Sequence, residues 1–152
     1  MAGLGKWFEE LPVRGKIIHP SKGTIDEKSN QIFCEITSNH HPLHSDIEYA
    51  SNSQHGAIVI PGTYVLSLAV GLTVPEISGK AIANLGYSEI KHLAPTFVGD
   101  TINVETIIIE KRVSKTKPDR GIVKVKSNVF NQRGENVMQF QRSVLIPLEG
   151  FS

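Results

Sequence analysis

The sequence predicts a two-layer α+β domain in which an antiparallel sheet packs against one central apolar helix. Three observations predict it. Residues 57–73 form the most apolar region of the chain. Four segments rich in β-branched residues follow it, with apolar side chains alternating over much of their length. One short strand and two short helical patterns precede it. A sheet with one apolar face must be covered, and helices grouped ahead of the strands cover it as one layer.

Residues 15–20 read as the first strand. Thr24, with Glu27 three residues later, has the spacing of a capping box and predicts a helix start. Ile25, Ile32, Phe33 and Ile36 recur at helical spacing and predict one buried face up to about Thr37. Cys34 on that helix reads as a small core residue. Residues 38–45 break the pattern. Ser45 and Glu48 repeat the capping-box spacing, which predicts a short helix over 46–51, and Asn52 to Gly56 reads as a polar loop.

Ile58, Val59 and Ile60 lead into Pro61-Gly62, and the run from Thr63 to Leu72 is apolar nearly all round. That pattern predicts a helix buried inside the domain. Proline suits its start, where no helical hydrogen bond is given up. Beyond Pro75, strands are predicted over 81–91, 101–114, 121–131 and 137–147. Residues 115–120 and 131–135 read as hairpin connections.

The chain has 152 residues and no Pro/Gly/Ser-rich linker, so residues 1–152 are read as one domain. Sixteen basic residues nearly balance fifteen acidic ones. No bulk field recruits nucleic acid or an anionic membrane surface. The opening from Met1 to Arg14 is interrupted by Glu9 and Glu10, unlike a secretory signal. No apolar run reaches the roughly 18 residues a membrane helix needs. One cysteine excludes an internal disulfide and fits a reducing, cytoplasmic compartment.

Three of the six histidines fall within five residues: His40, His41 and His44. Such a cluster suits either metal binding or acid–base work. Zinc would want cysteines, a patterned histidine pair or added carboxylates; Pro42 divides His40 from His44, and no metal site is expected. No Gly-x-Gly-x-x-Gly follows a strand, so no redox cofactor is expected either.

The order of residues around this cluster narrows the reading. Asn39-His40-His41-Pro42-Leu43-His44 resembles the Asp-x-Asn-Pro-x-His signature of the MaoC-like dehydratases and (R)-specific enoyl-CoA hydratases. Ala94-Pro95-Thr96-Phe97-Val98-Gly99-Asp100-Thr101 is similar to that family's Ala-Pro-x-Phe-x-Gly-Asp-Thr segment. Pro61-Gly62 stands where the family has His-Gly, and Phe8 to Val13 resembles its usual opening. The four pieces occur in order across nearly the whole chain. Asn39, Pro42, Leu43, His44 and Asp46, with the segments 83–87 and 130–135, resemble a branch associated with mesaconyl-CoA and β-methylmalyl-CoA.

The resemblance implies a single hotdog domain, a sheet wrapped around the central helix. It further implies hydration or dehydration of a 2-enoyl-CoA/3-hydroxyacyl-CoA pair, with CoA arriving as part of the substrate. Hotdog domains usually pair as dimers, with the active site at the interface. In the family an Asp and a His hold the reacting water, and an amide at the start of the central helix binds the thioester oxygen. A helix N-terminus aims donors at the charge that builds there, and one such donor is worth about 3–4 kcal/mol of barrier.

Carried over, His44 matches the catalytic His and Gly62 the oxyanion glycine, preceded by Pro61. Asn39 stands in place of the Asp, and His41 in place of the family Asn. A carboxamide orients water but cannot take its proton. Three readings follow: His44 does all the acid–base work, His41 or Asp46 serves as base, or the domain binds thioesters without reaction. Thioester hydrolysis is a further alternative, although Thr63 to Thr73 carries no carboxylate of the kind hotdog thioesterases place there. Arg14, Lys91 and Arg142 could each meet a second carboxylate on the acyl group, and nothing in the sequence selects among them.

Overall fold

A computed structural model describes residues 3–150; the outermost residues of the 1–152 span, and of the Met1–Arg14 opening, lie outside them. Strand β1 (Lys16–His19) is followed by helices α1 (Glu27–Ile36), α2 (Ile47–Ser51) and α3 (Gly62–Thr73). Strands β2 (Ala83–His92), β3 (Asn103–Val113), β4 (Arg120–Phe130) and β5 (Asn136–Pro147) complete the fold. The strands pair antiparallel in the order β1-β3-β4-β5-β2. β1 and β2 are therefore the two edges.

The inner rows of β3, β4 and β5 bury Val104, Ile108, Val123, Val125, Val129, Phe140, Val144 and Ile146. This alternation is the one the β-branched pattern predicts. One core cluster lies with the buried face of α3: Val65 and Ala69 pack with Ile25, Ile60, Ile102, Met138 and Phe140. A second gathers Phe8, Leu11 and Ile77 with Ile108, Val123, Val144 and Ile146. Phe140 is fully buried in the first. Phe140→Ala is expected to cost about 3–5 kcal/mol of stability, read from the urea midpoint at unchanged slope.

Four sequence expectations need correction. Asp26, not Thr24, caps α1: its carboxylate accepts from Ser29 N–H at 2.7 Å, while Thr24 bridges Thr101. That cap holds the Asp26 carboxyl below its usual pKa, chiefly through the Ser29 backbone bond. Asp46, not Ser45, caps α2, accepting from Tyr49 N–H at 3.0 Å. In both cases a carboxylate near the threonine or serine is the acceptor that faces the free amides.

The apolar stripe on α1 is not its buried face. Ile32 and Ile36 are 50% and 75% exposed, and α1 buries Asn30 and Cys34 instead. Its inner face thus carries a polar group, and that group supports the site described below. Burial raises the pKa of the Cys34 thiol, as expected for an inert core cysteine. Helix α3 is not buried all round either: Val65, Ala69 and Thr73 face the core, while Thr63, Ser67 and Gly71 are exposed.

A polar layer in the core had no signal in the sequence pattern. His19 bridges Glu76 at 2.9 Å and Thr106 at 2.8 Å, and Thr106 meets Ser127 at 2.8 Å. Arg142, 3% exposed, donates to Thr73 at 2.6 Å and Ser78 at 3.0 Å. Burial lowers its pKa, and Tyr87 opposes that shift. The guanidinium lies at the C-terminal end of α3, where the helix dipole is negative and favours a cation.

Candidate active site

The loop that follows α1 is fixed at both ends. Ser38 takes the left-handed conformation (φ 58°), donating to Glu35 C=O, and Asn39 N–H donates to Cys34 C=O at 2.9 Å. This pair of bonds is a Schellman stop, so Asn39 is not itself the left-handed residue at the helix end. It is the next residue, and its side-chain oxygen accepts from His41 N–H at 3.4 Å. Residues Pro42–His44 then form one 3₁₀ turn, capped by His41 Nδ1, which accepts from Leu43 N–H at 3.1 Å. Asn30 Nδ2 donates to the carbonyl of His44 at 2.9 Å, so α1 anchors the turn from below.

His44 is half-buried, and its Nδ1 lies 2.6 Å from Val59 C=O. A carbonyl only accepts, so Nδ1 carries the hydrogen. The neutral ring then presents Nε2 as a free basic lone pair. His41 differs: its Nδ1 accepts an amide hydrogen, and the ring is exposed. Asp46 is exposed and turns Oδ1 to the Tyr49 amide as the α2 cap. Of the three candidate bases, His44 is the one whose orientation is set by a bond that leaves its basic nitrogen free.

Val59 joins this turn to the start of α3. Its N–H donates to Leu43 C=O at 3.2 Å, and Ile60 N–H donates to Thr96 C=O at 2.7 Å. Pro61 then precedes Gly62, and no side chain caps α3. Tyr64 and Val65 N–H both donate to Pro61 C=O. The Gly62 and Thr63 amides have no acceptor among the described residues, as expected at a helix N-terminus.

Gly62 lines a cleft of about 410 Å³, with Val59, Ile60, Val65, Val137 and Met138 as its apolar wall. His55, His92 and Thr96 are the polar side chains on it, and none of its lining residues is a carboxylate. Of the residues predicted from sequence, Gly62 faces this cleft. His44 reaches its wall through Val59, while Asn39 and His41 remain with the His44 turn and Pro61 is buried behind Gly62.

The family described as MaoC-like domain matches residues 11–146. The chain belongs to the MaoC-like domain family. Among its relatives is mesaconyl-CoA hydratase of Cereibacter sphaeroides, 31% identical over 93% of this chain and 41% of that protein. Another is β-methylmalyl-CoA dehydratase of Chloroflexus aurantiacus, 30% identical over 93% of this chain and 40% of that protein. The chain thus spans about two fifths of the length of these curated relatives. A Mycobacterium tuberculosis protein with a double hotdog fold superposes with a TM-score of 0.87 at 20% identity. That match covers 96% of this chain and 45% of the other, and it shows the hotdog fold.

In this MaoC-like domain the segment Ala94–Thr101 is structural for the most part. Asp100 accepts from Phe97 N–H at 2.9 Å and from Gln132 Nε2 at 2.8 Å, and Gly99 has φ 91°. Arg142 lies beside Thr73 rather than Gly62, about 16 Å away along α3, so within one protomer it does not face the cleft. Sequence reasoning missed Asn30, Val59, His55 and His92. Asn30 and Val59 act through backbone contacts that leave no mark on residue type. The usable signal was for His92, which immediately precedes the Leu93-Ala94-Pro95 segment.

Proposed function

We propose that this chain hydrates a 2-enoyl-CoA to the 3-hydroxyacyl-CoA, or runs the reverse, without any cofactor beyond the CoA of the substrate. Water is oriented by Asn39 and loses a proton to His44 Nε2 as its oxygen bonds to C3 of the acyl group. Charge moves onto the thioester oxygen, which the Gly62 amide receives. The proton returns from His44 to C2, so water is added in full. The observation that carries this reading is the His44–Val59 bond, which occupies Nδ1, leaves Nε2 as the basic nitrogen and ties the ring to a residue that lines the cleft together with Gly62.

The activities of the two relatives favour a short, branched dicarboxylic acyl group, the mesaconyl/β-methylmalyl pair. Thioester hydrolysis fits less well, because neither α3 nor the cleft wall offers a carboxylate. A purely binding role remains the alternative that Asn39 supports.

We further infer a homodimer. Strand β2 is an edge whose residues are exposed throughout, Leu85, Tyr87 and Ile90 among them. An uncovered apolar edge is a pairing surface, and the proposed occupant is a second copy of this chain. We place the protein in the cytoplasm, where its one buried, unpaired cysteine fits a reducing medium. No helix among the described residues is long and apolar enough to cross a membrane.

The test is a panel of enoyl-CoAs, crotonyl-CoA and mesaconyl-CoA included, followed for enoyl absorbance and free thiol together. Loss of absorbance without thiol is expected. Thiol release identifies a thioesterase. Silence in both signals, with a raised melting temperature in acyl-CoA, identifies a binder.

A further inference from the structure

We propose that His92 is a second donor to the thioester oxygen, set beside the Gly62 amide by the last position of β2. This rests on the hydratase reading above. His92 pairs with Met138 of β5, and that register carries its ring over the start of α3. A Cβ built on Gly62 would lie 2.3 Å from His92 Cε1, 2.6 Å from Nδ1 and 3.1 Å from Nε2. The imidazole is therefore in van der Waals contact with the first turn of the helix, its Cε1–Nδ1 side nearest Gly62. The close approach is possible because residue 62 has no side chain.

The ring is available for this work. Both His41 and His44 commit Nδ1 to backbone groups. The His92 ring has no hydrogen-bond partner among the described residues; the residue is exposed, and it lines the cleft amid Leu93, Ala94 and Met138. A neutral imidazole donates through one nitrogen only, and because neither His92 ring nitrogen is bonded among the described residues, the tautomer that turns its N–H to the substrate oxygen is open to it. An enolate oxygen has lone pairs for more than the single bond that the Gly62 amide supplies. A second aimed donor in an apolar cleft strengthens as charge develops, which is the condition for lowering the barrier rather than tightening binding.

Two variants separate donation from packing. His92→Phe keeps an aromatic ring over Gly62 and removes the donor; His92→Gln keeps an N–H. With the preferred enoyl-CoA, His92→Phe is expected to lose about 10²-fold in kcat with little change in KM, and His92→Gln to recover most of that loss. The second readout needs no turnover: the infrared carbonyl band of bound butyryl-CoA, isotope-labelled at the thioester carbon. Wild type and His92→Gln should shift the band to lower frequency more than His92→Phe does. An equal shift and equal kcat in His92→Phe would overturn the assignment. A wild type that shifts the band but hydrates no enoyl-CoA ends the hydratase reading and leaves His92 as a carbonyl donor. Butyryl-CoA that does not bind at millimolar concentration ends both.

Discussion

Replacing His44 by alanine is expected to lower kcat by about 10²–10⁴-fold while the domain stays folded. The magnitude is that of removing a positioned general base. The other two candidate bases of this segment are engaged: His41 Nδ1 already accepts the Leu43 amide, and Asp46 caps α2. The variant also leaves the Val59 carbonyl without its hydrogen, a loss of about 1 kcal/mol of stability. His44→Gln separates the two effects. Its amide can donate to Val59 C=O but cannot take a proton near neutral pH. It should melt close to wild type and remain as inactive as His44→Ala. Full activity in either variant would move the base to another residue.

Gly62→Ala should move activity and stability apart. The backbone at residue 62 is not left-handed, and alanine is a better helix former than glycine by up to about 1 kcal/mol. The fold should therefore tolerate the change or gain slightly from it. The added methyl meets the His92 ring at 2.3 Å, and a side-chain ring can turn away. That displacement and the methyl itself disturb the oxyanion position, where misplacement by about 1 Å costs roughly 10²-fold. The expected result is a kcat lower by about that factor with an unchanged or raised melting temperature. A loss of both together would mean that Gly62 serves packing alone.

The strands were legible because burial on one face imposes a period of two, and Val123, Val125, Val129, Val144 and Ile146 obey it. The central helix was legible from its apolar run, although its outer stripe of Thr63, Ser67 and Gly71 is exposed. Ile32 and Ile36 misled because periodicity reports a face and not its direction: α1 turns them outward. The caps at Asp26 and Asp46 fell one or two residues from the predicted ones because a capping-box spacing does not say which oxygen reaches the amides.

At the site, the motif order placed His44 and Gly62 in one region, and their connection runs through the Val59 backbone. What the sequence could not show is what depends on tertiary register. His92 meets Gly62 only because β2 ends opposite Met138. Asn30 holds the His44 turn across fourteen residues by a bond to a carbonyl, which every residue possesses. The buried layer of His19, Thr106, Ser127 and Arg142 lies in strand positions where the pattern predicts apolar side chains.

In the proposed reaction water adds to the acyl chain of an intact thioester. The most direct test is turnover of crotonyl-CoA and mesaconyl-CoA in heavy-oxygen water, with the product read by mass spectrometry. The expected product is an acyl-CoA that carries the label in a hydroxyl at C3, formed by wild type and not by His44→Ala. Label in the carboxylate of a released free acid would contradict it and identify hydrolysis of the thioester instead.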